Sequence, residues 1–478
     1  MRLYNKYLIS TFLLALSVRL LFFFFGAEIY FGNSDFHIQG DSASYIASVV
    51  NLIEKGVFSV DLEQAEAYAA RMPGYPFFIG FFVLIFGSAN VAIALKATVF
   101  AQIVLSSISA IIFNKIVYAV SSNIRIAFIS GIVFATYPFV VVWTPILYAE
   151  SLSIDLMLFI IYLIVINKED KWYLYATAGL LSGYGVLVRP QLIFLWASVI
   201  LFFFFKNKFS FKTTFKQSFS FLLCSIITFS IWPLRNYVNH GKLVFMINKS
   251  TSRFMSLDRL NFAYFMWAVK TDWEPQISEI LANKEVSIPV WVWEKLPTED
   301  TVKLKRAIQL SQTCADGFAV LKKLPRVNKE IDCSQEVAEL WKELRLSVIK
   351  HAPFQFFVLV PLSNIKKALF KHELIQSYNR PDKPSNIVIL AKMLFSYRSL
   401  MLLLGIFGSV WFFSKSSHAF YSINMLIFSY FSITYFWLCF IYRDMDIRYL
   451  LPADVLLLFP ASFLLAEFYD VSKKLFSK

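Results

Sequence analysis

Residues 37–82 read HIQGDSASYIASVVNLIEKGVFSVDLEQAEAYAARMPGYPFFIGFF. Asp41 opens a short amphipathic stretch. Tyr45, Ile46, Val49, Val50 and Ile53 recur at helical spacing, and Gly56 is placed to end the helix. An apolar run from Tyr7 to Phe25, long enough to cross a bilayer, comes just before it. The stretch is therefore expected to lie on the membrane surface with its apolar side in lipid, and Asp41 at the boundary with water. The run that begins PGYP at Pro73 is only about 15 residues long and opens with two prolines, so a re-entrant or interfacial helix is expected there.

Working outward, the whole chain has this character. Of 478 residues, 58% are apolar and 52 are phenylalanine, above the roughly one half of a soluble domain. The expected fold class is an all-α polytopic membrane protein of about ten spans. These are Tyr7–Phe25, Val91–Val120, Ile124–Trp143, Leu152–Ile166, Trp172–Val188, Leu192–Phe205, Phe219–Trp232, Phe395–Phe413, Phe420–Tyr442 and Tyr449–Phe468. Arg2 and Lys6 precede the first run, and no small-residue cleavage site follows it, so it reads as an uncleaved span.

The net charge of +14 fits the positive-inside rule and attraction to anionic lipid. No nucleic-acid motif accompanies it, and no nucleic-acid partner is expected. The stretch KNKFSFKTTFKQ carries Lys206, Lys208, Lys212 and Lys216 and no acid, which is the strongest cytoplasmic signal. With a cytoplasmic N-terminus, the span count puts this loop inside and Asp41, Glu150, Arg189 and Arg235 outside. Both termini are then cytoplasmic.

Three regions follow: a transmembrane module over 1–235 with a first external loop at 26–90, a mixed extracytoplasmic domain over 236–392, and closing spans over 393–478. Phe354–Phe370, interrupted by Pro361, Lys366 and Lys367, reads as an interfacial helix within the second region. Cys224 and Cys439 lie in apolar runs. Cys314 and Cys333 lie in the polar region at a spacing that suits no common zinc pattern. A disulfide between them is one reading and two unpaired thiols the other.

Asp41, Arg71, Glu150, Arg189, Arg235, Asp444, Asp446 and Arg448 converge on the outer face, with Arg19 and Lys96 slightly below. Ionisable groups at membrane depth are functional candidates by default. Carboxylates among an excess of cations suit the transfer of a sugar from a lipid phosphate. The phosphate leaves without a general acid, and cations stabilise the charge it gains. The acceptor hydroxyl must lose a proton, so one carboxylate serves as base. Direct attack inverts the sugar, whereas glycosidases use two carboxylates. Each residue also has a plainer reading. Asp41 could be a helix N-cap, Glu150 an N-cap or a partner of Arg19 or Lys96, Arg71 a surface charge, Arg189 and Arg235 snorkelling anchors, and Arg448 a partner of Asp444 and Asp446.

The chain resembles the GT-C-fold glycosyltransferases that depend on polyprenyl-phosphate sugars. That group includes the dolichyl-phosphate-mannose protein mannosyltransferases and the bacterial aminoarabinose lipid A transferases. The resemblance is carried by GDSASY (Gly40–Tyr45), RMPGYP (Arg71–Pro76), YAES (Tyr148–Ser151), LVRP (Leu187–Pro190), WPLRNY (Trp232–Tyr237) and RYLLP (Arg448–Pro452). Residues 240–390 are not matched. The resemblance implies a GT-C fold with Asp41 as catalytic base and Glu150 as a second acid. It implies a substrate-binding set of Tyr45, Arg71, Tyr75, Lys96, Arg189, Arg235, Arg448 and Tyr449. The implied partners are a polyprenyl-phosphate sugar donor, membrane lipid and a cell-envelope acceptor that is a glycan, a lipid or a protein. No cofactor is required; a divalent cation bridging Asp41 and Glu150 is left open.

Three competing readings make different demands. A lipid-linked glycan transporter calls for internal repeats and broken helices at mid-membrane. An O-antigen ligase or polymerase calls for arginines and histidine in a large external loop, where His240, His351 and His372 lie. A structural membrane protein leaves the external charges without a purpose.

Overall fold

The computed structural model describes residues 2–63, 67–246, 257–269, 296–313, 333–370, 385–414, 418–443 and 446–476, and these fold into helices with no strand among them. Asp444, Cys314 and His372 lie outside the described residues. In order, the helices are α1 (Arg2–Leu21), α2 (Ala27–Phe31), α3 (Ser42–Lys55), α4 (Gly74–Phe86), α5 (Val91–Ser121), α6 (Ile124–Thr136), α7 (Pro138–Trp143), α8 (Ala149–Ile166), α9 (Trp172–Val188), α10 (Phe194–Lys206), α11 (Phe211–His240) and α12 (Leu257–Val269). They continue with α13 (Thr298–Thr313), α14 (Ser334–His351), α15 (Val360–Phe370), α16 (Ser385–Phe413), α17 (His418–Phe436) and α18 (Leu451–Phe476).

Among the described residues, seven helices are long and apolar enough to cross a membrane, or eight if the bent pair Ser334–His351 and Gln355–Phe370 counts as one span. The expected ten includes three runs that fall outside these seven. Tyr137 precedes Pro138 and takes extended backbone, with ψ at 114°, so Ile124–Trp143 splits into α6 and α7. Arg189-Pro190 stops α9 after 17 residues and leaves α10 with 13. The bent pair turns by 98°, and Phe354–Phe370 is a π-helical turn leading into α15.

Expectation and structure also part at α3. It starts and stops as the sequence indicates, with Gly56 at φ +74° closing it. Its apolar stripe meets protein rather than lipid, however. Val49 is buried, and Tyr45, Ile46 and Ile53 pack with it against α4 and α5. Gly80 of α4 lets Val49 approach, since a Cβ there would meet the Val49 Cγ2 methyl.

Helices α9 and α11 touch backbone to backbone. A Cβ at Gly179 or Gly183 would lie 2.2 Å from the Phe221 carbonyl oxygen or 2.4 Å from that of Ser225. This is the small-residue crossing that lets membrane helices pack by dispersion forces. Arg19, placed by the sequence within the first span, neither snorkels nor reaches Glu150. It is buried and donates to Ser106 Oγ and to the Ala15 and Ala135 carbonyls. In the C-terminal bundle a fully buried pair, Arg398–Asp454 at 2.7 Å, ties α16 to α18. Arg398 also donates to the Ala368 carbonyl and Tyr435 to Asp454, so every helix from α15 to α18 shares the network.

Helices α12, α13 and α14 enclose a separate small core around Phe265, Met266, Val337, Trp341 and Leu344. Cys333 is disulfide-bonded, while Cys224 and Cys439 are free thiols.

Candidate active site

The first turns of α3 and α8, the end of α9 and the turn before α18 meet around a cavity of about 880 Å³. Asp41 sits just before α3, and its side chain makes no capping bond. The carboxylate faces two guanidiniums instead. Oδ1 lies 2.5 Å from Arg71 Nη2, and Oδ2 lies 2.7 Å from Arg448 Nη1. The Asp41 amide donates to Tyr148 Oη at 3.2 Å. That contact is possible because residue 40 is glycine. It holds φ +39°, and a Cβ there would collide with the Tyr148 hydroxyl.

Each partner is itself held. Arg71 Nε donates to Ser44 Oγ at 2.7 Å, and its guanidinium lies 4.9 Å from the Tyr45 ring. Tyr45 leans edge-on against Tyr75, which donates to Gln102 behind it. Tyr75 thus backs the site without lining the cavity. Arg448 pairs with Asp446 at 2.7 Å and lies 3.8 Å from Glu150. Glu150, buried in the first turn of α8, pairs with Arg189 at 2.7 Å. Arg189 also donates to Gln191 and to the Arg448 carbonyl, which joins the end of α9 to the turn before α18.

Asp41, Tyr45, Arg71, Glu150, Arg189, Arg448 and Tyr449 therefore come together from across the chain. Lys96 and Arg235 do not join them. Lys96 stands exposed on α5. Arg235 packs against the rings of Phe58, Tyr68 and Trp232 on the far side of the loop that carries Arg71.

Burial alone would raise the Asp41 pKa, but Arg71 and Arg448 outweigh it and hold the carboxyl at about 2. Arg448 is pushed well above its ordinary value, because Tyr449, Asp446, Asp41 and Glu150 overcome the penalty of burial. Among the ionisable groups that line the cavity, four arginines (Arg71, Arg189, Arg259 and Arg448) face two carboxylates, Asp41 and Glu150. The wall is thus two units positive, and it suits an anion.

Among the described residues, no three His, Cys, Asp or Glu side chains converge as metal ligands. Asp41 and Glu150 are each already paired with guanidinium, so an ion bridging them would have to displace arginine.

Part of the lining is aromatic. Trp437 and Tyr442 stack at 4.7 Å and 8°, Tyr449 meets Tyr442 edge-on at 5.6 Å, and Phe194 lies 5.6 Å from Trp437. Sequence reasoning singled out neither Trp437, Tyr442 and Phe194 nor Arg259 and Met246. Trp437 and Tyr442 lie on a π-helical turn, Trp437–Tyr442, at the end of a span, where such turns often mark function. Arg259 lies in the unmatched region and had no motif around it.

Comparison with known proteins bears on this arrangement. The family model of the dolichyl-phosphate-mannose-protein mannosyltransferases matches residues 70–232, a stretch that includes Arg71, Glu150 and Arg189. Two solved structures from Archaeoglobus fulgidus share the fold. The apo crystal structure of its oligosaccharyltransferase aligns with a TM-score of 0.52 at 12% identity, over 98% of this chain and 51% of that one. The archaeal oligosaccharyltransferase AglB, in complex with an inhibitory peptide and a dolichol-phosphate, aligns at 0.51 and 14%, over 98% and 52%. The chain spans about half the length of these structures. No curated protein sequence matches it. The family match over residues 70–232 agrees with the resemblance carried by the motifs, and the all-α fold shared with the two solved structures is the one those motifs imply.

Proposed function

We propose that this protein transfers a sugar from a polyprenyl-phosphate-linked donor to a hydroxyl of an extracytoplasmic acceptor, with inversion at the anomeric carbon. The observation that carries the reading is the position of Asp41, a carboxylate gripped by Arg71 and Arg448 in the wall of a cationic cavity. The donor phosphate binds Arg71, Arg448 and Arg189. The acceptor oxygen attacks the anomeric carbon from the side opposite the phosphate. The carbon–phosphate oxygen bond breaks and its electron pair stays on the phosphate, which gains a negative charge. The acceptor proton passes to Asp41. The arginines stabilise the leaving phosphate more than the bound donor, and this lowers the barrier. They supply the charge that a divalent ion would otherwise bring.

A carboxyl held near pKa 2 is a weak base, because a general base works best near ambient pH. The donor resolves this. Its phosphate competes for the same guanidiniums and places a negative charge beside the carboxylate, and both effects raise the basicity of Asp41. The base is therefore switched on once the donor is seated.

The test is transfer from a labelled undecaprenyl-phosphate sugar by the purified protein, wild type against Asp41→Asn. Loss of the base is expected to slow turnover by about 100- to 10,000-fold. Full activity in the variant would remove the assignment, and failure with every lipid-linked donor would remove the donor class.

A further inference from the structure

The loop between α3 and α4 gives Val60, Ala70, Arg71 and Met72 to the cavity. Its described residues include one short 3-10 turn, Ala67–Ala69. The bonds among its described residues are local: Asn51 Nδ2 donates to the Ser59 carbonyl, Ser59 Oγ to the Asp61 carbonyl, the Asp61 amide to Ser59 Oγ, the Glu63 amide to Asp61 Oδ1, and the Val60 and Ala70 amides to the Ala67 carbonyl. These local bonds shape the loop, and side-chain packing holds it against α11, offsetting the conformational entropy its ordered residues give up.

The packing lies on the face turned away from the cavity. Trp232, Arg235 and His240 stand at i, i+3 and i+8 on the last turns of α11, which puts them on one side of the helix. Phe58 meets Trp232 edge-on at 5.7 Å and 79°. Tyr68 lies flat on the His240 ring at 3.5 Å and 6°. The Arg235 guanidinium sits 5.8 Å from the Phe58 ring, 5.8 Å from Tyr68 and 5.5 Å from Trp232. Arg235 Nη1 also donates to Asn236 Oδ1 at 2.9 Å, and the ring faces of Phe58, Tyr68 and Trp232 surround the rest of the guanidinium. Phe58, Tyr68, Met72 and Trp232 are all buried. Tyr68 and Met72 flank Arg71 in the chain, so the clasp acts on both sides of that residue.

We infer that Trp232, Arg235 and His240 are positioning residues: they clamp the loop that carries Arg71 and thereby hold its guanidinium against Asp41. The inference rests on the reading of Arg71 as a donor-phosphate ligand. It also gives Arg235, which the sequence motifs offered as a substrate ligand, a different role. A loosened clasp lowers the fraction of molecules with Arg71 in place. Donor affinity falls by that fraction, while the bound complex turns over as before.

The experiment compares Arg235→Leu, Arg235→Lys, His240→Ala and His240→Phe with wild type in lipid nanodiscs. It reads deuterium exchange of the loop amides together with kcat and donor KM. Arg235→Leu and His240→Ala are expected to speed exchange across residues 57–63 and 67–72 and to raise donor KM about tenfold, with kcat within about twofold. His240→Phe keeps a flat ring and is expected to behave as wild type; Arg235→Lys retains a cation over the rings and should fall between. Should Arg235→Leu fail to fold, His240→Ala carries the test, since His240 is only half-buried.

Unchanged exchange in His240→Ala would overturn the clasp. So would a fall in kcat without faster exchange in Arg235→Leu, which would make Arg235 a substrate contact. Equal damage in His240→Phe and His240→Ala would also count against stacking. If the wild type accepts no lipid-linked donor, the donor reading has failed, yet the exchange arm still decides the clasp.

Discussion

Asp41 shows how much one side chain's role depends on its neighbours. The same aspartate before a helix can cap it, pair with cations or accept a proton. Here the first role is not taken: the carboxylate makes no bond to the helix amides, and both its oxygens point to arginine. Its folded pKa, about 2, lies below the ordinary 3.8. A depressed carboxyl contributes stability that is present above its unfolded pKa and is lost as pH falls through the folded value. The contribution is about 2 kcal/mol at neutral pH, and it fades between roughly pH 4 and pH 2. Unfolding of wild type and Asp41→Asn followed across that window should therefore show the wild-type advantage shrinking as the medium acidifies. A gap that stays constant with pH would mean that the two arginines do not hold the carboxylate in solution.

At the scale of elements, Gly74 fixes how the two arginine-bearing turns meet. It begins α4 three residues after Arg71. A Cβ there would lie 2.5 Å from the Val188 amide nitrogen and 2.6 Å from the Leu187 carbonyl carbon. Tyr184 of α9 closes the contact by donating to the Gly74 carbonyl at 2.9 Å. Because the clash is with backbone, Gly74→Ala must part α4 from the end of α9, and Arg71 from Arg189. A displacement near 1 Å in a catalytic array can cost about 100-fold, and transfer assays on the folded variant should show a loss of that order. Loss of less than about threefold would mean the crossing has slack.

The same contact shows what the sequence made legible. RMPGYP, opening a re-entrant or interfacial run, and LVRP, at a span end, could each be placed near the outer face, and Arg71 and Arg189 do share one cavity with Asp41, Glu150 and Arg448. The motifs fixed depth in the membrane but not the direction in which each helix faces. Lys96 and Arg235 sit at a suitable depth and face elsewhere. Trp437, Tyr442 and Phe194 were hidden for a different reason: in a chain with 52 phenylalanines, an aromatic residue at a span end carries no signal. The α3 stripe had the right period, but periodicity cannot tell a lipid from a neighbouring helix. Pro138 did mark a break, and it shortened a run that the span count had taken whole.

For the molecule as a whole, three helices act as rulers between an end that mixes arginines with carboxylates and an end rich in lysine. Helix α11 is 30 residues long, about 45 Å at 1.5 Å per residue. It starts among Lys212 and Lys216 and ends at the clasp beneath Arg71. Helix α8 carries Glu150 in its first turn and is followed by Asn167, beside the Lys206–Asp170 pair at 2.8 Å. Helix α9 returns from just after Lys171 to just before Arg189. The cavity and the lysine cluster therefore occupy opposite ends of the same bundle. Lysine-rich short loops stay in the cytoplasm, so the cavity is expected to face outward in the cell membrane. Asn33 is exposed near the Asp41 end and Lys212 is exposed near the lysine end. In a chain with Cys224 replaced by alanine, Asn33→Cys should react with an impermeant maleimide in intact cells, and Lys212→Cys only after permeabilisation. The reverse pattern would turn Asp41 toward the cytosol, where nucleotide-linked sugars are available and a lipid-phosphate donor loses its advantage; the acceptor would then have to be cytosolic as well.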